Sequence, residues 1–106
     1  MKSFVVGIVV ATGLAFAGSS MAVDMPALAK KNGCTMCHSI DKKVVGPAWQ
    51  AVADKYKGDP GAAAKLSAKI AKGGSGVWGT TPMPPQTRAS EADRNELVAF
   101  ILGLAK

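Results

Sequence analysis

The chain has 106 residues, of which 48% are hydrophobic and 19% are charged, and its formal net charge is +6. This length leaves room for one small domain and excludes a larger multidomain organisation. Two cysteines and one histidine are too few for a structural zinc site, which needs four ligands.

Residues 1–22 have the organisation of a secretory signal peptide. Lys2 provides a short positive start, and residues 4–17 form an apolar run too short to span a bilayer comfortably. We expect cleavage after Ala22, which leaves residues 23–106 as a mature domain in the periplasm, with no membrane span and a formal charge of +5 once Lys2 is removed. The alternative is an uncleaved membrane anchor, but the apolar run ends in glycine and serine rather than in charged residues.

The first motif of the predicted domain is CTMCH at residues 34–38, which holds both cysteines and the only histidine. This pattern is typical of a c-type haem attachment site. Residues three and four apart on a helical turn share a face, so Cys34 and Cys37 can each form a thioether to one vinyl group of the same haem. His38 can then offer a neutral imidazole nitrogen to the iron. The sequence therefore predicts one covalently bound haem c, which would also supplement the small core.

A cysteine pair can also serve as a redox-active dithiol or as a structural disulfide. A dithiol redox motif in a haem-free protein needs a βαβ pattern, and the sequence contains no convincing strands. A disulfide across two intervening residues closes almost no loop and would stabilise little. Neither alternative requires a histidine directly after the second cysteine, so His38 favours haem attachment. The export signal also argues against nucleic acid as the partner of this basic chain.

Four short helices are predicted, which makes the domain all-α. The first covers residues 25–32 and the second residues 47–57, where one apolar face holds Trp49, Val52, Ala53 and Tyr56. The third begins with Asp59 as N-cap, ends at Gly73, and carries Ala63, Leu66 and Ile70 on one side. The fourth begins at Ser90 as N-cap, with Asp93 reaching back to it, and its apolar stripe is Leu97, Phe100, Ile101 and Leu104.

Between the third and fourth helices, Met83 lies among Pro82, Pro84 and Pro85. Each proline fixes its own φ and biases the preceding residue towards an extended conformation, so this loop is expected to be stiff. A stiff loop that presents a thioether suits a distal iron ligand. Most methionines, however, are packing residues. From the residues alone, both roles of Met83 stay open.

Residues 23–106 resemble a family of small bacterial class I cytochromes c, of the cytochrome c-551/c-552 type. The resemblance rests on AKKNGCTMCH, KVVGPA, GSGVWG and PMPP, which follow one another in that order. It implies the cytochrome c fold, with about four short helices around one haem. It also implies site residues: Cys34 and Cys37 as thioether attachments, His38 and Met83 as proximal and distal iron ligands, the Pro47 carbonyl as acceptor for the other His38 ring N–H, and Trp78 and Lys69 near a haem propionate.

Two positions differ from the usual pattern of this family. Gln86 stands where many relatives have an asparagine near the methionine sulfur. The first helix carries Ala27, Leu28 and Ala29 where relatives often place an aromatic residue, so looser packing against the last helix is expected.

The function implied by the resemblance is one-electron transfer between respiratory redox partners, without catalysis. The acceptor would be an oxidase, a nitrite reductase or a peroxidase, and the donor a membrane cytochrome complex. Four lysines flank the attachment motif and would steer acidic docking surfaces of such partners to a monomeric carrier; they are Lys30, Lys31, Lys42 and Lys43. Ordinary solvated charge is the alternative for these lysines. The alternative function is a haem enzyme or gas sensor with an open distal site, in which Met83 would be only structural.

Overall fold

A computed structural model describes residues 24–106, so the predicted signal peptide lies outside the described residues. Along the chain come helix α1 (Ala27–Lys31), a 3-10 turn (Cys34–Met36), α2 (Trp49–Lys55), α3 (Ala62–Lys72) and α4 (Glu91–Leu102). In this part of the chain, β structure is confined to two isolated bridges, so the all-α prediction is confirmed. None of the helices between residues 24 and 106 has the length and apolar character needed to cross a membrane.

The start of α3 differs from the prediction, because Gly61 rather than Asp59 is the N-cap. Asp59 lies just outside the helix, where its Oδ1 accepts a hydrogen bond from the Gly61 N–H at 2.8 Å. Its other carboxylate oxygen lies 2.7 Å from the ammonium of Lys65. Aspartate closes this kind of local turn by accepting from a backbone N–H two residues on, and the helix begins only after the turn is complete.

The start of α4 follows the prediction in part. The Ser90 hydroxyl accepts a hydrogen bond from the Asp93 N–H at 3.1 Å, as an N-cap does. The Asp93 carboxylate faces α1 instead, where Oδ2 accepts from the Asn32 side-chain amide at 3.4 Å and lies 4.0 Å from the Lys31 ammonium. This carboxylate therefore joins the first and last helices, which pack together.

The core lies where α4 packs on α2, α3 and α1. The predicted apolar faces supply most of it, with Val98 and Ala29 in addition, and Ala62 rather than Ala63 is the buried alanine of α3. Ala62, Leu66 and Ile70 follow one another at intervals of four residues and so share one face of the helix. The buried cluster consists of Ala29, Trp49, Val52, Leu66, Ile70, Ala89, Leu97, Val98 and Ile101.

Candidate haem site

The attachment motif forms one tight helical turn. The Cys34 carbonyl accepts hydrogen bonds from the Cys37 N–H at 3.2 Å and from the His38 N–H at 2.9 Å. Both cysteine side chains are partly buried, and no disulfide joins them. Burial raises the pKa of the Cys34 thiol above its ordinary value, and the nearby Cys37 adds a smaller effect in the same direction. The turn thus brings the two thiols and the histidine into one short segment.

The segment after the motif folds back onto it and reaches the imidazole of His38. The Gly46 N–H donates to the Cys37 carbonyl at 2.8 Å, and the Trp49 N–H donates to the Ser39 carbonyl at 2.9 Å. These bonds bring the Pro47 carbonyl within 2.8 Å of Nδ1 of His38. Because a carbonyl only accepts, Nδ1 carries the proton in this contact, and the neutral ring has its lone pair on Nε2.

The backbone of Gly46 lies directly against the histidine ring. A Cβ atom built on Gly46 would be 2.5 Å from Cε1 of His38 and 3.0 Å from Nδ1. Glycine is therefore the residue type that allows this close approach. No local pattern indicates this contact, since a glycine before a proline is common in turns.

On its other side, the His38 ring neighbours the core. The ring centroids of His38 and Trp49 are 5.9 Å apart at an interplanar angle of 33°. Trp49, only 4% exposed, also meets Phe100 of α4 edge-on with centroids 6.0 Å apart. Trp49 therefore connects the histidine ring to the packing of α2 on α4. The helical pattern predicted its burial, although nothing in that pattern placed it next to His38.

The Met83 loop is attached to the end of α3 by backbone hydrogen bonds. The Gly74 N–H donates to the Met83 carbonyl at 3.0 Å, and the Met83 N–H donates to the Gly74 carbonyl at 2.8 Å. One turn further, the Gln86 N–H donates to the Ile70 carbonyl at 2.9 Å. The Gln86 side-chain amide donates to the Pro84 carbonyl at 2.8 Å. Met83 is partly buried and packs against the core cluster.

All seven residues expected at the site line one cavity that opens to solvent. Several walls are apolar side chains from three helices, among them Val52, Leu66, Ile70 and Ile101. The seven residues are Cys34, Cys37, His38, Pro47, Lys69, Trp78 and Met83. Sequence reasoning missed Gly46 and Trp49 as members of the same cavity.

Trp78 and Lys69 also line this cavity. Trp78 is 42% exposed, and the Lys55 ammonium lies 5.7 Å from the centroid of its ring, within the range of a cation–π contact. The Lys69 ammonium is next to the backbone of Gly74, since a Cβ atom built on Gly74 would be 2.8 Å from Nζ of Lys69. Both side chains can therefore present N–H donors at the cavity.

The cavity fits a haem bound through thioethers. Its lining is mostly apolar, one helical turn on its wall carries both thiols, and the adjacent histidine has one nitrogen bonded to a carbonyl and the other available. These features define a helical protein that binds a c-type haem. A model of the cytochrome c family matches residues 23–105, and the chain belongs to that family. It is a small monohaem cytochrome c, a class of electron carrier.

Relatives from several bacteria support this assignment. The chain is 46% identical over 104 residues to cytochrome c-552 of Nitrosomonas europaea, covering 98% of this chain and 99% of the relative. It is 52% identical over 77 residues to cytochrome c-551 of Allochromatium vinosum, covering 73% of this chain and 82% of the relative. The crystal structure of wild-type Nitrosomonas europaea cytochrome c552 superposes with a TM-score of 0.71 at 51% identity, over 73% of this chain and 95% of that one. The predicted resemblance and the cytochrome c fold are thereby confirmed.

Proposed function

We propose that this cytochrome carries single electrons in the periplasm, with His38 and Met83 as the two axial ligands of a low-spin haem attached to Cys34 and Cys37. The observation that carries the proposal is that these four side chains line one mostly apolar cavity. The haem iron supplies the chemistry, a reversible one-electron change between the ferric and ferrous states.

The role of His38 as proximal ligand is supported by its hydrogen bond to Pro47. The contact of 2.8 Å holds the proton on Nδ1 and orients the ring, which leaves the lone pair of Nε2 for the iron. Gly46 and Trp49 border the ring and limit its rotation. A fixed ring plane keeps the ligand geometry the same in both oxidation states, so little reorganisation accompanies electron transfer.

The role of Met83 as distal ligand is supported by its attachment to α3. Two backbone hydrogen bonds to Gly74 hold Met83, and the prolines on either side restrict the loop. A methionine that is held in this way can stay bound although its thioether is a weak ligand. With both axial positions filled, no position is free for a substrate, which favours electron transfer over catalysis. Methionine ligation and apolar surroundings raise the reduction potential.

Two partly exposed residues of the cavity would bind the propionate side of the haem. The Trp78 indole N–H and the Lys69 ammonium can donate to a haem propionate, and both lie on the cavity wall. The partners are redox proteins of a respiratory chain, with a membrane cytochrome complex as donor and an oxidase, nitrite reductase or peroxidase as acceptor. The exposed lysines near the motif would attract acidic surfaces of those partners. We expect a monomer of residues 23–106, released by cleavage of residues 1–22.

Substitution of Met83 tests the proposed ligand set in the haem-loaded protein. The ferric wild type should have the weak near-red charge-transfer band of a methionine sulfur bound to iron, and Met83→Ala should abolish it and lower the reduction potential. Met25→Ala is the matched control, because Met25 also packs partly buried against the core but does not line the cavity. A wild type that lacks the band and binds cyanide rapidly and completely would instead support an open distal site.

A further inference from the structure

Gly73, the residue that ends α3, has a backbone conformation that side chains rarely allow. Its φ of 68° and ψ of −162° fall in a region occupied almost only by glycine. Its N–H donates to the Lys69 carbonyl at 2.7 Å, which closes the last turn of the helix. Any other residue would be strained here, irrespective of the space around it.

The space beside Gly73 is occupied by the backbone of the Met83 loop. A Cβ atom on Gly73 would collide with the Met83 carbonyl oxygen and would be 2.9 Å from both the Pro84 carbonyl carbon and the Pro85 nitrogen. These are main-chain atoms, so they cannot rotate away as the end of a flexible side chain could. An added methyl group must therefore move the loop or the end of α3.

The loop has little freedom to absorb such a movement locally. Prolines at 82, 84 and 85 fix their own φ angles, so a displacement passes along the segment and carries Met83 with it. The two hydrogen bonds between Gly74 and Met83 would be stretched by the same movement.

We propose that Gly73 is a positioning residue for Met83. By lacking a side chain it allows the Met83 carbonyl to lie against the end of α3, and this contact sets how far the Met83 side chain reaches towards the iron. The inference rests on the proposed role of Met83 as distal ligand. It extends that role to a residue whose own atoms need not touch the haem.

The test compares Gly73→Ala with Gly58→Ala in the haem-loaded protein. Gly58 has a similar positive φ of 80°, but a Cβ atom there would meet nothing within 4 Å, so the control introduces backbone strain without a collision. We expect Gly73→Ala to lose most of the charge-transfer band and to bind added imidazole about tenfold more tightly than the wild type, the order of effect expected when overpacking displaces the Met83 loop. Gly58→Ala should keep the band and the imidazole affinity of the wild type.

The outcomes separate this inference from the proposed function. If the wild type lacks the band, the ligand assignment of Met83 fails. If the wild type has the band and Gly73→Ala keeps it with unchanged imidazole affinity, Met83 remains the ligand and the role of Gly73 is overturned. Equal losses in Gly73→Ala and Gly58→Ala would also overturn it, because strain alone would then be the cause.

A second measurement applies if Gly73→Ala yields no folded haem protein. In the wild type, the Gly74 and Met83 amides should exchange their hydrogens as slowly as the amides in the interior of α3, because the close contact at Gly73 keeps their mutual bonds intact. Exchange as fast as that of the amide of Val77, which is exposed in the same loop and donates no backbone hydrogen bond there, would contradict the proposal.

Discussion

The rings of His38 and Trp49 lie with their centroids 5.9 Å apart, so the histidine of the attachment motif borders the hydrophobic core. Trp49 is the first residue of α2 and also contacts Phe100 of α4. The packing of two helices and the orientation of the His38 ring therefore depend on the same indole. The other tryptophan, Trp78, is 42% exposed at the cavity and has no comparable place in the core.

This difference predicts opposite results for the two tryptophans. Trp49→Ala removes a buried aromatic side chain and should lower the free energy of unfolding by about 3–5 kcal/mol. Trp78→Ala should lower it by less, since this side chain is 42% exposed and lies outside the buried cluster. Trp78→Ala should instead lower the reduction potential, because the proposed donor to the haem propionate is lost. Chemical denaturation and redox titration of both haem-loaded variants measure the two effects, and equal losses of stability would contradict the assignment.

Gly46 offers a test of the contact on the proximal side. Gly46→Ala places a methyl group 2.5 Å from Cε1 of His38, so the ring or the backbone must shift. We expect a loss of about 1–3 kcal/mol in unfolding free energy, as overpacking typically costs, together with altered electron paramagnetic resonance g-values of the ferric haem. Gly61→Ala is the control, because its Cβ would lie 3.3 Å from the Asp59 carboxylate and 3.5 Å from Cε of Lys65. Unchanged g-values in Gly46→Ala would show that the ring is free to adjust.

The sequence predicted the features that depend on local pattern. The motif at 34–38, the apolar face of α2 and the serine cap of α4 each follow from residue type and spacing, and the structure has all three. The start of α3 was wrong because Asp59 could serve equally as a helix cap or as the acceptor in a preceding turn. Contacts between distant segments have no local pattern. The contact of the Met83 loop with Gly73 and the approach of Gly46 to His38 both depend on how loops fold back onto the helices. Residue spacing along the chain does not specify that path.

The turn before α3 predicts a pH dependence of stability. The hydrogen bonds from Lys65 and from the Gly61 N–H lower the pKa of the Asp59 carboxyl below its ordinary value of 3.8. A lowered pKa in the folded state stabilises the protein above the ordinary value, and this contribution is lost as the pH falls through the lowered pKa. The advantage of the wild type over Asp59→Asn in melting temperature should therefore be present at pH 6 and shrink below about pH 4.

Lys65→Gln serves as the companion variant for this measurement. It removes the ammonium group 2.7 Å from the Asp59 carboxylate while keeping the Gly61 hydrogen bond. The hydrogen bond from Lys65 is the largest cause of the lowered Asp59 pKa. The melting temperature of this variant should therefore also lose most of the pH dependence that comes from the turn. If the difference in melting temperature between the wild type and Asp59→Asn stays constant from pH 6 to pH 3, the ion pair contributes nothing to stability.

The lysines near the motif should affect the rates at which charged small-molecule oxidants react with the haem. Lys43 lines a small cavity with Trp78, next to the main one, and Lys42 is exposed beside it. A positive field at the haem edge attracts anions and repels cations, and salt weakens both effects. For the double variant Lys42→Glu/Lys43→Glu at low salt, we expect oxidation of the ferrous protein by ferricyanide to slow by roughly threefold to tenfold. Oxidation by a cationic cobalt(III) complex should accelerate.

A matched double variant separates the local field from net charge. Lys57→Glu/Lys106→Glu changes the formal charge equally, at two residues that contact each other outside the cavity. Because the Debye length is about 10 Å at 0.1 M ionic strength, charges far from the haem edge should affect both reactions less as salt is raised. If the two double variants slow ferricyanide equally at every ionic strength, the lysines at 42 and 43 act only through net charge. A larger effect at 42 and 43 that persists at moderate salt would identify their side of the cavity as the place where electrons enter and leave.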